Sequence, residues 1–245
     1  MKKLFPIAVL LLAAAACSPF KTATYEDDLV MPLEEGGADS LYFTVSLEYV
    51  TGGVAPEVMD VINRTILSQA FDLEDGEGAT VEENATLYRE NLIDEYLTEN
   101  SEPTAGIRTW EDRIYGQFQG VYKGWQNYLL TYFSLRGGAY GIQTVSHIVM
   151  DKNTGETLSE ADLFAEGYTA PVAALMQNAV LASLHKEDEE LMQLVSIPSI
   201  QPNGNFSVGP NGVEWTFQPF EAGPYALGII TAAVPWKELK PYLKN

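Results

Sequence analysis

Residues 41–50 alternate apolar and polar positions, with Leu41, Phe43, Val45, Leu47 and Tyr49 on one face. That period of two predicts a strand with one buried side. Gly52 and Gly53 end it. The period then changes: Val58, Val61, Ile62, Thr65, Ile66 and Gln69 recur at helical spacing behind Pro56, which suits a first helical turn. Thr80 and Glu83 have the spacing of a capping box and open a second helix toward Asn100, with Leu87, Tyr88, Leu92 and Tyr96 on its stripe. From Thr109 onward strands return, over residues 109–121, 125–135 and 143–150. Gly120, Gly124 and the pair Gly137 and Gly138 punctuate them as antiparallel hairpins. Residues 151–156 form a turn in which Gly155 supplies a positive φ.

The C-terminal third repeats the mixture. Residues 158–164 predict a short helical turn, and residues 168–186 a long helix with Val172, Leu175, Met176, Ala179, Val180 and Leu184 inward. Strands are expected at 206–208 and 213–218, joined across Gly209, Pro210, Asn211 and Gly212, and at 229–234. A last helix starts at Pro235 and carries Leu239, Tyr242 and Leu243. The predicted class is α+β, with helices packed on a mainly antiparallel sheet.

The N-terminus sets the expected compartment. Lys2 and Lys3, the apolar run of residues 4–12 and the small residues 13–16 describe a secretory signal peptide ending at Cys17. A cysteine directly after small residues resembles the bacterial lipobox, in which that cysteine is acylated. Ala14 stands where Leu, Val or Ile is usual. The expectation is an extracytoplasmic bacterial lipoprotein, on the outer membrane if the source is Gram-negative, because Ser18 is not acidic. Residues 18–40 hold Pro19, Pro32, Gly36, Gly37 and the acidic Glu26, Asp27 and Asp28, and read as a tether. The domain expectation is therefore 1–17 signal peptide, 18–40 tether, 41–131 an N-terminal α+β region and 132–245 a C-terminal domain.

Charge narrows the partners. The chain has 14 basic residues against 34 acidic; without Lys2 and Lys3 it has 12 against 34, a formal net charge of −22. Such a field repels nucleic acid and anionic lipid surfaces and favours encounter with basic partners.

Catalytic and metal-binding patterns are sparse. The two histidines, His147 and His185, have no third ligand in zinc spacing, and each reads as a structural or surface residue. No metal and no cofactor are expected. Asp72, Glu74, Asp75 and Glu77 lack the ordered spacing of a calcium loop and read as a solvated loop. The turn at 151–156 has Glu156 where a calcium loop needs glycine. Carboxylates abound, so a hydrolase working through a close pair of them is the alternative to a binding protein.

The most distinctive stretch is residues 217–228, fixed by Pro219, Gly223, Pro224 and Gly228. Its aromatics are expected to close the core beneath a loop. Alternatively, Phe220 and Tyr225 stack on a sugar or fill a partner's cleft.

Taken in order, Arg136, Gly137, Gly138, Ala139, Tyr140 and Gly141, then the turn at 151–155, Thr157, Leu158, Asp162, Leu163 and Phe164, the 217–228 segment, Pro235 and Leu239 carry a resemblance. Residues 132–242 resemble the RsiV-like extracytoplasmic domain. That domain is shared by the lysozyme-sensing anti-sigma factor, accessory regions of some peptidoglycan deacetylases and bacterial lipoproteins of unassigned function. Residues 41–100 resemble, more weakly, the region that precedes it. The resemblance implies a binding module of the cell envelope whose partner is a basic protein such as lysozyme, or cell-wall glycan. Candidate contacts are Gly137, Gly138, Tyr140, Phe220 and Tyr225, since loops carry most binding function. Tyr140 stands where many members have histidine, so no metal or acid–base role carries over. No second apolar run reaches the length of a membrane span, so the anti-sigma signalling route is not expected.

Overall fold

The computed structural model describes residues 20–72, 80–102, 106–183 and 193–244. Cys17, His185 and the acidic loop beyond Asp72 lie outside the described residues. Two sheets organise the chain. The larger has the order β1 (Lys21–Pro32), β2 (Ser40–Gly52), β3 (Trp110–Tyr122), β4 (Trp125–Arg136) and β5 (Ile142–Asp151). All neighbours are antiparallel except β2 and β3, which run parallel because two helices separate them in sequence. Those helices are α1 (Pro56–Phe71) and α2 (Val81–Glu99).

The alternation over residues 41–50 has its expected consequence. Leu41, Phe43, Val45 and Leu47 are buried beneath Ile62 and Ile66 of α1 and Leu92 and Tyr96 of α2. The capping box of α2 is formed: the Glu83 amide donates to Thr80 Oγ1 at 3.1 Å, and the Thr80 amide donates to Glu83 Oε2 at 3.0 Å. At the β3–β4 turn, Lys123 and Gly124 both take positive φ, as a tight two-residue hairpin requires.

The smaller sheet has the order β6 (Phe206–Val208), β7 (Gly212–Phe217) and β8 (Ile230–Pro235). The short α3 (Glu160–Leu163) precedes α4 (Thr169–Ser183), which packs on β8, and α5 (Trp236–Leu239) follows it. Val172, Met176 and Val180 of α4 enclose a second core with Val213, Trp215, Phe217, Ala232 and Val234. The fold is α+β.

Two sequence expectations change. Lys21–Pro32, read as tether, is a strand paired with β2 along its length. The expected boundary at residue 131 falls inside β4, which pairs with β3 from Trp125 to Arg136, so β4 and β5 complete the first sheet. Strand β5 walls both cores: Ile148 and Met150 enter the first, Val149 the second.

Candidate functional site

Opposite ends of the large sheet differ in chemistry. One end gathers the β1–β2 turn, the start of β3, the end of β4 and the loop 137–141. In that loop Gly137 and Gly138 take φ of +68° and +83°. Their amides donate to the carbonyls of Thr109 at 3.1 Å and Ile107 at 3.4 Å. A Cβ on Gly137 would meet the Ile107 oxygen at 2.6 Å, so the turn admits only glycine there. The tight loop projects Tyr140 into solvent, 80% exposed.

The segment after β7 meets it from the other sheet. The Gln218 amide donates to Glu221 Oε2 at 2.6 Å, and the Glu221 amide donates back to the Gln218 carbonyl at 3.0 Å. Between them Phe220 sits at φ +75°, a left-handed conformation that costs a non-glycine residue about 1–3 kcal/mol. Phe220 is 63% exposed and Tyr225 38%. The rings of Phe220 and Tyr225 lie 5.6 Å apart, and Tyr140 lies 6.3 Å from Tyr225. The Tyr225 hydroxyl donates to the Gly141 carbonyl at 2.7 Å and ties the two segments. Exposed Ile107 and Ile142 flank the loop.

The five candidate contacts therefore converge: Gly137 and Gly138 shape the loop, and Tyr140, Phe220 and Tyr225 form one ring cluster. The expectation that this segment's aromatics close the core is corrected. Phe217 and Ala222 do so, while Phe220 is turned outward by its backbone and Tyr225 by its bond to Gly141.

Two buried carboxylates escaped the sequence reading. Asp112 accepts from the Tyr88 hydroxyl at 2.8 Å, the Tyr132 hydroxyl at 3.0 Å and both terminal nitrogens of Arg136. Burial, then Asp112, pushes the Tyr88 phenol far above its ordinary range. The available signal was position: Asp112 shares the inward face of β3 with Trp110 and Ile114. Glu160 accepts from Trp215 Nε1 at 2.7 Å, the Tyr168 hydroxyl at 3.0 Å and the Gly204 amide at 3.1 Å. Burial, then Glu160, raises Tyr168 to about 12. Each carboxylate joins elements and is fully engaged in doing so.

His147 is structural. Its Nε2 lies 3.0 Å from Thr216 Oγ1, and burial lowers its pKa to about 4, so the ring is neutral. It borders a cavity of about 510 Å³ shared with Gln69, Ser159, Glu160 and Tyr168, remote from the ring cluster. A second cavity of about 330 Å³ opens between Gln69, Tyr88, Tyr132, Thr144 and Ser146. Among the described residues no three His, Cys, Asp or Glu side chains gather as a metal site.

Residues 161–237 match the model of a family described as a protein of unknown function, DUF3298. The chain carries a DUF3298 domain. This match lies inside the stretch that resembles the RsiV-like domain. The whole fold is similar to that of a DUF3298 family member from Bacteroides fragilis, with a TM-score of 0.79 at 20% identity, covering 92% of this chain and 94% of that one. It is also similar to a DUF3298 family protein from Pseudomonas aeruginosa, with a TM-score of 0.66 at 16% identity, covering 93% and 95%. Likeness at these identities extends to the fold. No curated protein matches the chain.

Proposed function

We propose that the protein is a lipid-anchored binding module of the cell envelope, held through Cys17, with the Tyr140, Phe220 and Tyr225 cluster as its contact surface. The observation that carries this reading is convergence. Two segments more than seventy residues apart expose three adjacent rings, one on a strained backbone and one bonded across the gap. Exposed apolar groups gathered in one place mark interaction surfaces, and aromatic rings dominate the energetics of such contacts.

The partner we propose is a basic protein of the lysozyme type. The formal charge of −20 favours such an encounter, and exposed Glu34 and Glu35 sit in the β1–β2 turn at the same end of the sheet. The resemblance to a lysozyme-sensing domain points the same way. Cell-wall glycan is the second reading, because exposed ring faces suit stacking on sugars. A hydrolase built on paired carboxylates has weaker support, since Asp112 and Glu160 are buried and saturated with donors.

Titration of the protein with purified lysozyme at low and at physiological salt tests the first reading. Saturable binding should survive physiological salt and weaken at least about tenfold, or roughly 1.4 kcal/mol, in Tyr140→Ala and Tyr225→Ala. Binding that disappears with salt is bulk charge attraction and contradicts the proposal. Co-sedimentation with purified peptidoglycan, lost in the same variants, would transfer the surface to glycan.

A further inference from the structure

We infer that the end of the large sheet opposite the ring cluster seats on the lipid surface of the membrane, with Tyr122, Lys123 and Trp236 at headgroup level. The inference rests on Cys17 being the lipid anchor. Register fixes which end faces the anchor. Lys21 pairs with Gly52, Tyr122 with Trp125, and Trp125 with Asp151, so the start of β1, the end of β2, the β3–β4 turn and the end of β5 share one end. Phe20 is already buried and meets the Phe118 ring edge-on at 5.6 Å. Only Ser18 and Pro19 separate it from Cys17. Three Cα steps reach about 11 Å at most, whereas a free run over residues 18–40 would reach about 80 Å. An acylated Cys17 therefore holds this end within about a nanometre of the bilayer.

The chemistry found there fits that position. The rings of Tyr122 and Trp236 stack at 5.7 Å, and Lys123 Nζ lies 5.3 Å and 5.5 Å from their centroids. Trp236 Nε1 donates to the Gly209 carbonyl at 2.7 Å, which fixes the indole at the edge of the fold. Tryptophan and tyrosine favour the headgroup region, and lysine extends its ammonium to lipid phosphates while its stem stays on apolar surface. Lys21, Lys152 and Lys237 also lie at this end: Lys21 by register, Lys152 because its backbone amide donates a hydrogen bond to the Gly124 carbonyl, and Lys237 beside Trp236. They offset Glu57, Asp151, Glu156 and Glu238, which share the region. These lysines reduce the local excess of carboxylates, to which Glu48 and Glu214 also contribute, so the repulsion expected from a chain of formal charge −20 is weakened where the membrane lies.

The test uses the acylated full chain in phosphatidylcholine vesicles whose acyl chains carry bromine near the headgroup, a short-range quencher of tryptophan. Trp215 is fully buried, Trp110 lies at the far end of β3, and half-buried Trp125 shares the anchored end, so the measurement is made in a Trp125→Phe background, where the accessible signal should come from Trp236. Emission should fall on reconstitution, and at least half of that fall should vanish in Trp236→Phe. Lys123→Glu, at an exposed turn position that leaves the core intact, should also reduce the quenching. Protein that is acylated by mass, floats with the vesicles and shows no quenching overturns the seating alone. Protein that is neither acylated nor vesicle-bound overturns the anchor and the seating together.

Discussion

Asn63, Asn127, Asn205 and Gln218 each use a side-chain amide where a neighbouring strand would otherwise be needed. Asn63 on α1 accepts from the Val50 amide at 2.9 Å and donates to its carbonyl at 2.8 Å; Asn127 on β4 does the same to Val208 at 2.9 Å each. None of these pairings was legible in the sequence, because an asparagine's partner depends on which elements meet. His147 shows the same limit: its type and strand could be read, its burial could not. That burial makes a prediction about pH. The folded pKa of about 4 lies below the ordinary 6.5. Between those values the unfolded chain binds the proton and the folded chain does not, so stability falls as pH drops through this window, by on the order of 3 kcal/mol in all. Urea unfolding of wild type and His147→Gln between pH 7 and pH 4 should show the variant losing less stability by a comparable amount. Parallel curves would contradict a neutral buried imidazole.

At the scale of elements, β2 and β5 illustrate two kinds of strand. Strand β2 was legible because one face is wholly apolar. Strand β1 carries an alternation too, with Tyr25, Leu29 and Met31 half-buried against the first core, but Asp27 interrupts it. The interruption is answered by Arg89 of α2, an ion pair that no local pattern reveals. The Pro and Gly content of the β1–β2 turn completed the impression of a linker. Strand β5 is an edge, and its outward backbone is closed by side chains from the smaller sheet. The His147 amide donates to Asn205 Oδ1 at 2.8 Å, Asn205 Nδ2 donates to the Val145 carbonyl at 2.8 Å, and the Val145 amide donates to Gln218 Oε1 at 3.0 Å. This is how the two sheets are coupled without sharing a strand, and it protects an edge that would otherwise invite pairing with another chain. Asn205→Ala leaves the half-buried His147 amide unpaired, while the Val145 carbonyl keeps the bond it accepts from Gln218 Nε2. The substitution should cost about 1–3 kcal/mol in urea unfolding and speed hydrogen exchange at the His147 amide. Unchanged exchange there would mean that the edge is held by other contacts.

The whole molecule is polar in the sense of having two unlike ends, and this was only partly readable beforehand. The 217–228 segment and the glycine-rich loop were visible as separate motifs in the chain. Their meeting at Tyr140 and Tyr225 was not, because it depends on β4 carrying the glycine-rich loop to the sheet end where β7 delivers the other segment beside β5. The end proposed to face the membrane was hidden by reading residues 18–40 as a tether. With β1 in place, the strands separate the two ends by roughly 40 Å at ~3.3 Å per residue, so an anchored molecule would hold its ring cluster away from the bilayer. This distal cluster is the proposed contact surface. Hydrogen exchange of the acylated chain with and without saturating lysozyme at physiological salt addresses it directly. Exchange should slow in residues 138–142 and 218–228, with no change over α1 and α2. Protection confined to other surfaces, or none under saturating conditions, would contradict it.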